Sequence, residues 1–249
     1  SIGITSQSFA QKGKKDDPKH TNYFLDVEEA IETREVVMEF SNGVSRMDFL
    51  KFKTKFTNNT NDFLLIDPSK FTITVNGTET HPKEKQFILD PNENTSKTID
   101  VKEGANFNVD QLEVVLDSAF SRASVKGKPT GAGEFKMKPD KNSIMMEPFA
   151  VTLKKWRFDP KELSADFKIR YRGEGIGIVN ESKIRIRRED GTVLKNTDAK
   201  DKLMVIPPMA TKTLTVVRPF DKGEIGKGES VYVVWDEALQ ESDSKPIKV

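Results

Sequence analysis

Leu50-Lys51-Phe52-Lys53-Thr54-Lys55-Phe56 and Asp166-Phe167-Lys168-Ile169-Arg170-Tyr171-Arg172 carry one pattern twice, with Phe52 matching Phe167 and Phe56 matching Tyr171. Alternation of apolar and basic residues puts one set of side chains on each face of an extended segment, as a half-buried strand requires. The match continues outward. Ser69-Lys70-Phe71-Thr72-Ile73-Thr74-Val75 closes on Asn76-Gly77, and Ser182-Lys183-Ile184-Arg185-Ile186-Arg187-Arg188 closes on Asp190-Gly191. Both dipeptides accept the positive φ of a tight turn. Phe87-Ile88-Leu89-Asp90-Pro91 answers to Met204-Val205-Ile206-Pro207-Pro208, and Val115-Leu116-Asp117-Ser118-Ala119-Phe120 to Val234-Trp235-Asp236-Glu237-Ala238-Leu239. Matching segments in one order at near-constant offset predict a duplication.

The expected organisation follows. Residues 1–22 form a signal-peptide remnant and mobile tail, 23–123 a first β-sandwich, 124–146 a basic linker, and 147–249 a second β-sandwich. Short strands of the first copy are predicted at 35–40, 49–57, 63–66, 70–75, 85–89, 96–101 and 111–117, separated by Gly, Pro, Asn and Asp clusters. Residues 26–33 and the neighbourhood of 237–239 could make a turn or two of helix.

FLKFKTKFTNNTNDFLLIDPSKFTITVNGT (residues 49–78) followed by FILDPNENTSKTIDV (87–101) resembles the telokin-like, immunoglobulin-fold modules of exported bacterial proteins. The resemblance rests on the strand ending in Asn58, Asn59 and Asn61, the Asn-Gly turn and the Thr-rich late strand. It is looser in the second copy, where Gly173-Glu174-Gly175 replaces the Asn run. It implies an all-β chain of two tandem immunoglobulin-like antiparallel sandwiches of about seven strands each, and carries over no functional residue.

The chain has 249 residues, no cysteine and two histidines, His20 and His81. Disulfide scaffolds, thiolate metal sites and cysteine nucleophiles are thereby excluded, and little remains for histidine chemistry. No apolar run approaches the roughly 20 residues of a membrane-spanning helix. There is no initiator methionine, so an upstream stretch is expected. Ser8 and Ala10 occupy the places of a signal-cleavage pattern, which predicts cleavage between Ala10 and Gln11 and export to the periplasm or cell surface. The alternative is an unstructured amino terminus of a cytosolic protein.

Charge is unevenly divided. Residues 23–120 hold 10 basic and 18 acidic side chains, and residues 147–249 hold 20 and 17. Lys168, Arg170 and Arg172 on one strand, with Lys183, Arg185 and Arg187 on another, are the candidate anionic-ligand residues. If the strands share a sheet, six cations line one face, suited to an anionic polysaccharide or an acidic protein surface at the cell envelope. The competing reading is a solvated face neutralised by Asp166, Glu181, Glu189 and Asp190. Nucleic acid is not expected, since neither copy is strongly basic. Trp235 reads as a core anchor, with Trp156 ambiguous.

No metal site, cofactor or catalytic motif is recognised. The sequence therefore points to a non-enzymatic binding protein. The alternatives are a carbohydrate-active hydrolase using an Asp/Glu pair and, more remotely, a periplasmic chaperone of the pilus-assembly kind, which has a string similar to Val205-Ile206-Pro207-Pro208.

Overall fold

The computed structural model describes residues 2–4, 20–25, 29–102, 106–108, 112–116, 118–137, 142–159, 161–194, 203–221, 223–226 and 228–249. Among these there is no α-helix. The chain is all-β, in several antiparallel sheets, with single 3-10 turns at Pro68–Lys70 and Glu181–Lys183. It divides into two compact units, residues 1–123 with 245–249, and residues 124–244.

The strands of the first stretch are β1 (Ile2–Ile4), β2 (Asn22–Phe24), β3 (Glu29–Glu32), β4 (Val36–Ser45), β5 (Leu50–Asn58), β6 (Phe63–Ile66), β7 (Thr72–Val75), β8 (Thr78–Thr80), β9 (Phe87–Leu89), β10 (Asn94–Val101), β11 (Leu112–Val115) and β12 (Phe120–Ala123). There follow β13 (Lys128–Pro129), β14 (Glu134–Lys136), β15 (Ser143–Met146), β16 (Phe149–Asp159), β17 (Glu162–Tyr171), β18 (Ile176–Asn180), β19 (Arg185–Arg188), β20 (Leu203–Ile206), β21 (Thr211–Pro219), β22 (Val231–Val234), β23 (Leu239–Ser242) and β24 (Ser244–Pro246).

In the first unit the sheets run β10-β5-β4-β2 with β3 also on β4, β24-β12-β6-β9, and β1-β11-β7-β8. In β5 the alternation becomes burial: Leu50, Phe52, Thr54, Phe56 and Asn58 are buried while Lys51, Lys53 and Lys55 point away. Phe56 sits 5.4 to 6.5 Å from the rings of Phe87, Phe71 and Phe120, joining β5, β9 and β12 through one core. Burying each such ring contributes roughly 1.5 to 3 kcal/mol. Asn58, fully buried, closes the strand. Its amide donates to Asp62 O at 2.8 Å and Asp90 O at 3.0 Å, and its carbonyl accepts from Thr60 N and Thr60 Oγ1. The Asn-Gly turn lies between β7 and β8 with Asn76 at φ 50° and Gly77 at φ 76°, as its composition predicts.

In the second unit the sheets run β15-β16-β17-β21, β13-β23-β18-β20 and β14-β22-β19. Leu163, Ala165, Phe167, Ile169 and Tyr171 of β17 enter a core with Phe149, Ile186 and Trp235. Trp235 is fully buried, its ring edge-on to Phe167 at 5.0 Å, as the sequence predicts. Tyr171 donates its hydroxyl to the Glu241 carboxylate, tying β17 to β23. Gly175 follows in the chain, where a Cβ would lie 2.3 Å from Ser242 O. Glycine is there because a backbone passes.

The partners correspond. In the first unit β5 lies between β4 and β10, β6 between β9 and β12, and β7 pairs β11; in the second, β17 lies between β16 and β21, β18 between β20 and β23, and β19 pairs β22. A 3-10 turn follows β6 in one and β18 in the other.

Three expectations change. Residues 29–32 are not helical but form β3 on β4, because burying Ile31 and pairing the backbone outweigh the helix preference of Glu and Ala. The stretch 124–146, read as a linker, supplies β13, β14 and β15 to the second unit, with Phe135, Met137 and Met146 buried in its core. Residues 245–249 belong to the first unit, not the second: β24 pairs β12, Ile247 N donates to Phe120 O at 3.1 Å, and Ile247 and Val249 pack on the first core. The segment read as signal remnant contributes Ile2–Ile4 as β1, on β11. The cleavage site at Ala10 and Gln11 lies outside the described residues.

Candidate functional site

The structure separates the six cations. Lys168 and Arg170 lie on β17 and Arg172 follows it, whereas Arg185 and Arg187 lie on β19 and Lys183 in the 3-10 turn before it. β17 pairs β16 and β21; β19 pairs β22. The two trios therefore stand on different sheets, each turned away from the shared core that holds Ile169 and Ile186. The six-cation face conceived from alternation alone does not form, since alternation fixes a residue's face but not its strand's neighbours.

Two of the three cations at β19 are compensated. Arg187 Nη2 meets Glu134 Oε2 at 2.7 Å and its guanidinium lies 4.4 Å from the Tyr232 ring centroid. The Glu134 hydrogen bond keeps Arg187 even more firmly protonated than usual. Lys183 faces Glu237 at 3.7 Å. These contacts leave Arg185 as the one member of the trio without an acidic partner among the described residues.

The β17 trio differs. Lys168 lies opposite Thr152 on β16 and Thr213 on β21, while Arg170 lies opposite Ala150 and Thr211. Ser143, across from Thr152, shares a 2.8 Å hydrogen bond with it. Among the described residues Lys168, Arg170 and Arg172 make no ion pair, and all three are exposed. The corresponding row of the first unit is neutralised at two of its three cations: Lys55 lies opposite Glu39 with an ion pair of 2.6 Å, and Lys51 opposite Asp100 with one of 3.5 Å, while Lys53 lies opposite Ser41 and Thr98. Where β5 meets a glutamate, β17 meets an alanine. The nearest acid in line, Asp166, accepts from Thr215 Oγ1 at 2.7 Å. Successive outward residues of a strand stand about 6.6 Å apart, so the trio is a linear row of cations on a hydroxyl-rich face.

Concavities also lie among the described residues. In the first unit, His81, Lys83, Glu84, Asp100, Val101 and Lys102 line one of about 280 Å³. It brings two carboxylates together. Glu84 Oε1 accepts from Asp100 N at 2.7 Å and Asp100 Oδ2 meets Lys51 and Lys102, while Glu84 Oε2 and Asp100 Oδ1 are buried without a hydrogen-bond partner. His81 Nδ1 is engaged with Phe71 O at 2.9 Å. A second, of about 490 Å³, is lined by Thr33, Arg34, Glu35, Asn59, Thr60, Asn61, Arg122 and Lys248. Sequence reading missed it, because its residues come from four separate stretches and no local motif unites them. In the second unit, Val193, Leu194 and Phe220 line one of about 390 Å³ with Asp221 and Glu224 at its edge.

Among the described residues no group of three or more His, Cys, Asp or Glu side chains is placed to hold a metal, and no helix is long and apolar enough to cross a membrane. The sequence matches no protein-family model and no curated protein.

Proposed function

We infer that the chain is an exported, non-enzymatic binding protein of two tandem immunoglobulin-like sandwiches, and that the Lys168–Arg170–Arg172 row holds an anionic polysaccharide. The common partner order of β4–β7 with β9–β12 and of β16–β23 supports the duplication. The observation that carries the ligand is the exchange of Glu39 for Ala150 opposite the outward cation, which leaves Arg170 uncompensated where Lys55 is neutralised. A row of three cations among threonines suits a polymer with regularly spaced carboxylates or sulfates and hydroxyls between them, since guanidinium groups bind such oxyanions in bidentate fashion.

Replacing Lys168, Arg170 and Arg172 together by Ser removes salt-sensitive retention on a sulfated or uronic-acid polysaccharide column and leaves the melting temperature within a few degrees. Unchanged retention overturns the assignment. A second reading, glycoside hydrolysis, is favoured by the meeting of Glu84 and Asp100 in one pocket; turnover of a chromogenic glycoside that vanishes in Glu84→Gln would put it in place of the first.

A further inference from the structure

The pocket formed by Thr33, Arg34, Glu35, Asn59, Thr60, Asn61, Arg122 and Lys248 is a basic spot on a unit whose sequence is otherwise acidic, with 10 basic against 18 acidic residues over 23–120. Three cations line it against one carboxylate, and that carboxylate is spent: Glu35 Oε1 binds Arg122 Nη1 at 2.7 Å. Arg122 Nε faces Asp62 at 3.4 Å, so two acids hold the guanidinium in place while its Nη2 has no protein partner among the described residues. The side chains of Arg34 and Lys248 likewise make no ion pair or hydrogen bond there.

The loops that carry the lining are held by hydrogen bonds of their own. Thr33 Oγ1 bonds Val36 N and Val36 O, each at 2.9 Å, locking the turn that carries Arg34. Asn59 N donates to Glu35 O at 2.9 Å, fastening that turn to the loop after β5, and the buried Asn58 ties the loop together. Asn61 Oδ1 accepts from Asn92 at 3.1 Å, which leaves its amide N–H groups as donors. An open, polar depression of about 490 Å³ offers two unspent cations, a pinned guanidinium and side-chain amides to a small hydrophilic ligand.

We propose that this pocket binds a small polyol bearing one oxyanion, a sugar acid or a sugar phosphate, with the oxyanion between Arg34, Arg122 and Lys248 and the hydroxyls on Asn59 and Asn61. The charge-assisted bonds supply most of the affinity and the amides select hydroxylated ligands over bare anions. The site is independent of the β17 row and does not rest on it.

Titration calorimetry of the whole chain in low-salt buffer with glucuronate, glucose 6-phosphate, glucose and inorganic phosphate tests the assignment. Glucuronate or glucose 6-phosphate should bind, the stronger of the two naming the oxyanion, with glucose and inorganic phosphate each at least about tenfold weaker. The double variant R34Q/K248Q, whose side chains are exposed, should lose about tenfold or more in affinity with an unchanged melting temperature, and its polysaccharide retention should match the parent. No binding by either anionic sugar, equal binding of glucose, equal binding of inorganic phosphate, or undiminished binding by the variant each overturns the proposal. The Lys168, Arg170 and Arg172 triple variant should bind the sugar as the parent does, so the two sites fail separately.

Discussion

Tyr171 is held protonated above the ordinary phenol range, first by burial and then by its hydrogen bond to Glu241. An unfolded tyrosine ionises near pH 10. Below that value the phenol is neutral in both states and its contribution is complete; above it the unfolded chain alone loses the proton, so stability falls as pH rises toward the folded value. The second unit should therefore lose melting temperature above about pH 10 more steeply in the parent than in Tyr171→Phe, and parallel slopes would contradict this. Tyr171 was legible as an inward residue of an alternating strand, but its partner was not, because Glu241 lies 70 residues away. The same limit governs the cations. Lys55 and Arg170 hold equivalent places in their motifs, and only the strand register reveals that one faces Glu39 and the other Ala150.

Strands with a buried face announced themselves. β5, β6, β10 and β17 lie where alternation or apolar runs put them, because core burial and period two act together. Strands held mainly by their backbone did not. β13 is Lys128-Pro129, both exposed, and β24 is Ser244-Lys245-Pro246, neither with an apolar period. Each pairs with the last long-range strand of a sheet, β13 with β23 and β24 with β12. Lysine and proline suit such edges, since proline lacks the donor an inner strand needs and lysine discourages further pairing. Beyond β24, Ile247 and Val249 pack on the core of the first unit. Deleting residues 245–249 should cost it about 1 to 3 kcal/mol and speed amide exchange in β12 and β6, with β17 and β21 unaffected. Exchange in β12 at the parent rate would show that the strand adds nothing.

Across the whole chain, the all-β class was readable from composition and turn residues, whereas the division was not. The sequence assigns 124–146 to a spacer and 245–249 to the second copy, and the structure gives the former to the second unit and the latter to the first. The two units share one partner order, and at matching outward positions the ion pair of Lys55 with Glu39 stands against Arg170 opposite Ala150. Export belongs to the proposed function. Amino-terminal sequencing of the mature protein should give Gln11 as its first residue; a chain that retains Ile2–Ile4, and with them β1 on β11, would rule out cleavage at that point.

The return of β24 to β12 also sets an order of assembly. As the chain leaves the ribosome, the first unit emerges with the outer edge of β12 bare, and the strand that covers it is translated after everything in the second unit. For that interval the nascent protein presents an open ladder to any passing extended segment, until residues 244–246 reach it.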